Sequence, residues 1–386
     1  MDRKIRKVMF HINSLGKGGA ERVVSLLANE FVKSGTEVVI ATEWYSKEEY
    51  EVDSSVKRIH VGLSGKQENG SRIAKQWYRI WNLRKAMLQE KADVVLSFCV
   101  KANYRAMMAS VGSKIPVIVS VRNDPKIDYV GKVNSLMNKL FLNKAAGCVF
   151  QTQEAKEFFD EVLQKKSIII CNPVNEKYVR APRKVPEKKI VCVGRLVAQK
   201  NQMLLVKAFE RILKKYPDYH LYLYGDGSDD ECKEELLQYV GSKEVEVLDS
   251  KNMRKTSQTM LKLRNYIHFM GLSSTLEVDM ADASMFVLPS NYEGMPNALM
   301  EAMALGLPVI STDCPCGGSR YWIEHGVTGQ LVPVKDVEAM AEAIEYYIQN
   351  PQQAEEMAES GRERLLEATV DKIFEQWTKY IEKTLH

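Results

Sequence analysis

Two glutamates stand eight positions apart in PSNYEGMPNALMEAMALGLPVISTD (289–313). Glu293 falls in the loop before a predicted helix, and Glu301 lies on that helix. Asn297 opens the helix, whose packing face is Leu299, Met300, Met303 and Leu305. A rise of about 1.5 Å per residue, plus the loop, sets the two carboxylates roughly 10 Å apart. That exceeds the ~5–5.5 Å of a retaining glycosidase pair and only approaches the ~6.5–9.5 Å of an inverting one. The spacing suits the two ends of one long ligand better than the two sides of one bond. Carboxylates accept hydroxyl hydrogen bonds, so a sugar at Glu293 and a ribose at Glu301 are natural occupants. A diphosphate between them would lie on the N–H groups that open the helix. The plain alternative is a surface loop followed by an exposed helical acid.

Three other loops could carry chemistry. In VCVGRLVAQKNQ, Gly194 ends a strand, and Arg195 and Lys200 stand five apart before a helix. Two cations at a helix N-terminus suit a diphosphate, although two solvated surface cations read the same way. In HINSLGKGGAERVV, Gly16, Gly18 and Gly19 permit a tight turn and close backbone approach. This is not the G-x-G-x-x-G fingerprint, no acid sits suitably after the second strand to hold a ribose, and Glu21 could simply favour a helix N-terminus. In YGDGSDDE, Gly225 and Gly227 allow close approach, but the acidic run should repel phosphate.

Positioning such loops requires a scaffold. The chain has 386 residues, 45% of them apolar, with a net charge of +4. That length fits two domains that need neither disulfides nor structural metal. Residues 1–186 hold 32 Lys+Arg against 19 Asp+Glu, whereas 187–386 hold 22 against 31. A basic half joined to an acidic one suggests that only the first meets an anionic partner through its overall field. The seven cysteines form no Cys-x-x-Cys pair and sit mostly in apolar runs, so a reducing, cytoplasmic setting is expected. The apolar stretch after Lys7 is interrupted by His11 and Asn13, too short for a signal peptide, and no 18-residue apolar span follows. Any membrane work would be peripheral, on the inner face of the plasma membrane.

Short β-rich runs alternate with amphipathic segments such as 20–33. The alternation breaks over 172–189, where Pro173, Pro182 and Pro186 read as a linker, and then restarts. The predicted domains are 1–186 and 187–370, with a closing helix at 371–386. Alternating βα units imply an α/β fold of two Rossmann-like domains, their parallel sheets facing across a cleft. Ligands then bind beyond the carboxyl ends of the strands.

The spacing of Glu293 and Glu301 resembles the E-x7-E signature of retaining glycosyltransferases of family 4, which have the GT-B fold. GGAERVV, GRLVAQKNQ and GGSRYWIEHGVTGQLVPVKD are similar to that family's phosphate-side loops and closing segment, and the likeness covers nearly the whole chain. It implies transfer of a glycosyl group from a nucleotide sugar with retained anomeric configuration. Arg195 and Lys200, beside Gly194, would bind the diphosphate. Glu293 with Gly294, Met295, Pro296, Asn297, Ala298 and Leu299 would hold the sugar, and Glu301 the ribose. The backbone from His268 through Met270 to Gly271 would border the base, and Gly18 and Gly19 would approach the phosphates. The family needs no metal or other cofactor, and the sequence has no Asp-x-Asp triplet. By resemblance the closing helix returns to the first domain, and a UDP-linked hexose or N-acetylhexosamine is preferred as donor.

Two departures stand out. Where relatives carry a sugar-contacting His, this chain has VSVRNDP. Asn123 or Asp124 could replace that contact, Arg122 could meet an acceptor phosphate, or the segment is a turn ordered by Asx hydrogen bonds before Pro125. The segment 243–265 is longer than the usual connection and reads as a surface insertion, a flap or a partner contact.

The basic half contains SRIAKQWYRIWNLRKAM (71–87), a predicted helix with Trp77 and Trp81 beside Ile73 and Ile80, and with Arg72, Lys75, Arg79, Arg84 and Lys85. Such a helix suits an anionic membrane interface, although an aromatic stripe also suits a core. Segment 130–146 is a second candidate. Family likeness adds a lipid-linked glycan acceptor, of the undecaprenyl-diphosphate kind, in surface-polysaccharide synthesis. No nucleic-acid motif accompanies the charge. A nucleotide-sugar epimerase or hydrolase could use the same loops and remains open at this point.

Overall fold

The computed structural model describes residues 5–227, 230–248 and 258–386. The chain divides into two units, Met1–Pro173 with Ala368–His386, and Val174–Glu367.

In the first unit, seven strands pair in parallel in the order β3-β2-β1-β4-β5-β6-β7. They are β1 (Lys7–Ile12), β2 (Glu37–Thr42), β3 (Lys57–His60), β4 (Val94–Phe98), β5 (Val117–Ser120), β6 (Gly147–Phe150) and β7 (Ser167–Ile169). Strands β1 and β4 read KVMFHI and VVLSF, without alternation, because helices cover both faces of the sheet. Helix α1 (Gly19–Lys33) buries Val23, Val24, Leu27, Ala28 and Phe31. Helix α2 (Arg72–Glu90) buries only Leu83, Ala86 and Met87. It is followed by α3 (Val100–Ser110), α4 (Pro125–Asp128) and α5 (Lys132–Leu140). Strand order reverses between β1 and β4, which puts the ligand crevice of this sheet beyond their carboxyl ends.

The closing helix Val370–Leu385 packs on the first unit. Trp377 is fully buried and stacks on Phe98 at 5.7 Å, and Phe374 meets Phe31 edge-on at 4.9 Å. The Cys148 N–H donates to Tyr380 Oη at 2.8 Å. That contact requires Gly147, since a Cβ there would lie 2.4 Å from the same oxygen.

The boundary falls at Pro173/Val174 instead of 186/187. The proline-rich segment is not a free linker, because its polar groups are held by the second unit. The Arg183 guanidinium donates to the carbonyls of Ala281 (2.7 Å) and Gly306 (3.2 Å), and the Lys184 N–H donates to Ala281 O at 3.0 Å.

In the second unit, six parallel strands run in the order β12-β9-β8-β13-β14-β15. They are β8 (Lys189–Val193), β9 (His220–Tyr224), β12 (Ile267–Gly271), β13 (Met285–Leu288), β14 (Val309–Thr312) and β15 (Gln330–Val332). Order reverses here between β8 and β13. Helix Gln202–Lys215 buries Leu205, Phe209 and Ile212 in the core that β8 and β9 share. The proposed insertion 243–265 contains β10 (Glu244–Leu248) paired antiparallel with β11 (Gln258–Lys262). Its middle, 249–257, lies outside the described residues.

All seven cysteines are free thiols. Among the described residues, no helix is long and apolar enough to cross a membrane.

Candidate active site

The β8/β13 reversal brings two loops of the second unit together. The loop after β8 is tied to the loop after β13 by main-chain and amide bonds. The Asn291 N–H donates to Gln199 O at 2.8 Å, the Asn291 amide to Ala198 O at 2.7 Å, and the Gln199 amide to Tyr292 O at 3.0 Å. Gln202, the first residue of its helix, donates back to Arg195 O at 2.9 Å. Asn201 adopts the left-handed conformation that this turn needs and donates to Asn291 Oδ1 at 3.0 Å. These bonds leave Arg195 exposed at the rim and draw Lys200 inward.

At the centre sits Glu293, buried to 5% exposure. Its Oε1 accepts from Lys200 Nζ at 2.5 Å and from Ser290 Oγ at 2.6 Å. The Lys200 stem crosses Gly194, where a Cβ would stand 3.2 Å from its methylenes. Ser290 is held by its own carbonyl, which accepts from Thr312 Oγ1 (2.6 Å) and Cys314 Sγ (3.3 Å). Burial pushes the Cys192 and Cys314 thiols up to about 12, so both stay protonated beside the ion pair. The sequence set Lys200 and Glu293 in separate roles; the fold makes them one hydrogen-bonded pair.

Helix Asn297–Ala304 starts at Pro296 with no side-chain cap. Gly294 is fixed by Gly318, where a Cβ would be 1.8 Å from Gly294 O, and Trp322 Nε1 donates to Met295 Sδ at 3.0 Å. Leu299 is fully buried, Ala298 is partly exposed, and Glu301 is buried to 3% exposure on the second helical turn.

Next to β8, three glycines press their backbones together. A Cβ on Gly225 would be 2.1 Å from Gly194 O, and the Gly225 N–H donates to Gly271 O at 2.7 Å. Gly225 also has φ 134°, open only to glycine. His268 turns onto the sheet face, 3.0 Å from His220 and stacked on Tyr222 at 4.5 Å, while Met270 is exposed.

The first unit has its own polar edge at β1 and β4. A Cβ on Gly18 would lie 2.2 Å from Glu21 Oε2, so this carboxylate folds over the start of α1 beside Gly18 and Gly19. His11 is fully buried, and burial lowers its pKa to about 3. Asn123 donates to Asp128 Oδ1 at 3.2 Å. Asp124 accepts from the Lys126 N–H at 2.9 Å and caps α4 ahead of Pro125. That is the Asx turn, so Asp124 has a structural task here. Arg122 donates to Asn172 Oδ1 and, at 3.3 Å, to Ser120 Oγ, and lies over the Phe98 ring.

Sequence reading missed one cluster. Glu43 directly follows β2, where no suitable acid was expected, and its carboxylate pairs with Arg105 and with Arg79 at 3.2 Å. Arg105 also donates to Asn13 Oδ1 and Gln76 Oε1, each at 3.4 Å. Burial raises the Glu43 pKa against the pull of both arginines. The polar side chains come from four separate elements, so no spacing rule joins them. A lone acid at a strand end was the available signal.

Trp77 and Trp81 are not in the core. They are 56% and 52% exposed and stack with ring centroids 5.5 Å apart. Ile73 on the same helix is 84% exposed, and α5 has no buried residue, with Val133 and Leu136 open to solvent.

The chain matches the family described as "Glycosyl transferases group 1" over residues 174–364, and "Glycosyltransferase Family 4" over 17–178. An uncharacterized glycosyltransferase of Haemophilus influenzae is 25% identical over 97% of this chain and 99% of its own length. An α-1,4-N-acetyl-D-galactosaminyltransferase of Campylobacter jejuni is 23% identical over 97% of this chain and 98% of its own. Its name gives the acceptor as a diphospho-undecaprenol-linked glycan ending in two N-acetylgalactosamines. Among solved structures, Anabaena HepE in complex with UDP-glucose superposes with a TM-score of 0.77 at 16% identity, covering 97% of this chain and 98% of that one.

Proposed function

The chain belongs to the family 4 glycosyltransferases of the GT-B type, and on that premise we propose that it transfers a hexose or N-acetylhexosamine from a UDP-sugar, with retention and without a metal, to a lipid-diphosphate-linked glycan. The observation that carries this reading is the convergence of Lys200 and Ser290 on Glu293 beside the start of helix Asn297–Ala304 at a strand-order reversal. In the proposed roles, Arg195, Lys200 and the helix N–H groups take the donor diphosphate. Glu293 and the backbone from Gly294 to Leu299 take the sugar, and Glu301 takes the ribose. As the sugar–phosphate bond breaks, negative charge grows on the diphosphate, and preformed positive groups stabilise it most at that moment.

Lys200 and Glu293 neutralise one another in the free protein. A diphosphate competes for Lys200, and the carboxylate released from it is then available to sugar hydroxyls. The lipid-linked acceptor is supported by the Campylobacter relative's substrate, and a peripheral membrane position by the exposed Trp77–Trp81 face. A thermal-shift panel of UDP, GDP and their sugars tests the donor. Glu293→Ala is expected to abolish transfer while UDP still binds, and unchanged turnover would refute its role. Epimerisation of a UDP-sugar without acceptor would favour the epimerase alternative.

A further inference from the structure

Arg122 follows β5, and the hydrogen-bond partners of its guanidinium among the described residues are neutral. Its guanidinium donates to Asn172 Oδ1 and Ser120 Oγ, and lies 5.5 Å from the centre of the Phe98 ring. Its Nε is buried without a hydrogen-bond partner. Among the described residues, no carboxylate forms an ion pair with Arg122. Asp128 is turned to Asn123, and Glu21 lies over Gly18. Burial lowers the Arg122 pKa to about 10, which still leaves it charged at neutral pH.

This contrasts with Arg105, which is buried in the same unit, whereas Arg122 keeps part of its surface in water. Arg105 is matched by Glu43, whereas among the described residues no carboxylate is paired with Arg122. An unpaired cation withdrawn from water is unfavourable, and folds normally supply a partner. Here the fold supplies orientation instead. Asn172 Oδ1 accepts from both Arg122 and, at 2.7 Å, the Gln151 amide, so it is fixed before it fixes the guanidinium. A cation that is rigidly held, partly desolvated and without a paired carboxylate is an arrangement that suits an anion.

We propose that Arg122 is the centre of an anion site in the first unit and that its ligand is a phosphate or diphosphate group. Only the ligand's identity rests on the glycosyltransferase reading, through substrates that carry diphosphates; the uncompensated cation does not. Two sources supply this chemistry, the lipid-diphosphate acceptor and the nucleotide.

The test measures binding of UDP against uridine, and of farnesyl diphosphate against farnesol in one detergent, to wild type, Arg122→Gln and Arg122→Lys. Arg122→Gln is expected to weaken one diphosphate ligand by about tenfold or more and leave its uncharged counterpart unchanged, with Arg122→Lys recovering part of the loss. The melting temperature of ligand-free Arg122→Gln should not fall, since the variant removes an uncompensated charge and keeps a donor for Asn172. Loss confined to farnesyl diphosphate assigns the anion to the acceptor, and loss confined to UDP assigns it to the nucleotide. Equal binding of both diphosphates by wild type and Arg122→Gln overturns the proposal, as does parallel weakening of the uncharged ligands. An Arg122→Gln protein that is destabilised or unfolded also overturns it, because the guanidinium would then be a structural tie. Wild-type UDP binding reports on the donor reading separately, and a wild type that binds neither diphosphate ends both.

Discussion

The Lys200–Glu293 pair permits a quantitative prediction. The N···O distance is 2.5 Å, and the side chains are 17% and 7% exposed. At an effective dielectric of about 20, that contact corresponds to roughly 6–7 kcal/mol of attraction. Desolvation of two largely buried charges offsets several kcal/mol of it, leaving a net coupling of about 1–3 kcal/mol. Lys200→Met should destabilise the second unit by about 2–4 kcal/mol, because Glu293 then keeps only Ser290 as donor. Glu293→Gln retains an acceptor, and Lys200 can swing out to water, so about 1–2 kcal/mol is expected. The double variant should fall well short of the sum, near the larger single loss. Urea denaturation read by hydrogen exchange of peptides across 285–312 follows the second unit alone. Single losses that add to within about 0.3–0.5 kcal/mol would refute the coupling, and with it the idea that a donor diphosphate frees the carboxylate by drawing Lys200 away.

Replacing both Trp77 and Trp81 by Ala should weaken sedimentation with vesicles containing anionic lipid by about tenfold or more, and indifference of the wild type to lipid charge at low salt would sink the membrane part. Gly318→Ala places a methyl 1.8 Å from Gly294 O and should destabilise the second unit by about 1–3 kcal/mol while lowering transfer, as thermal melts and turnover assays would show. His11 has its pKa lowered by burial from 6.5 to about 3, so the unfolded chain takes up this proton first. Its contribution to stability is full above pH 6.5 and is lost as pH falls towards 3. Denaturation midpoints across that window should flatten in His11→Phe if the site tolerates the ring, and an unchanged slope would show that other groups dominate acid unfolding.

Much of the fold was legible because its signals are local. Apolar runs without alternation mark strands covered on both faces, as KVMFHI does in β1 and VVLSF in β4. The domain boundary was harder, since prolines at 173, 182 and 186 describe the chain's stiffness and not which unit satisfies its carbonyls and side chains. The Trp stripe of α2 was ambiguous for a similar reason. Periodicity identifies a face, and only packing decides whether that face is covered.

The sequence by itself determined the parallel α/β architecture, the family, and the segments where Arg195, Lys200, Glu293 and Glu301 stand, because each is written in a contiguous stretch. Tertiary structure alone decided what those residues meet. Lys200 and Glu293 are 93 positions apart and join only because β8 and β13 are neighbours in the sheet. Glu43 and Arg105 meet across 62 positions, whereas Arg122 meets the neutral Asn172 across 50. Pairing and desolvation of a charge depend on distances in space, which no spacing along the chain encodes.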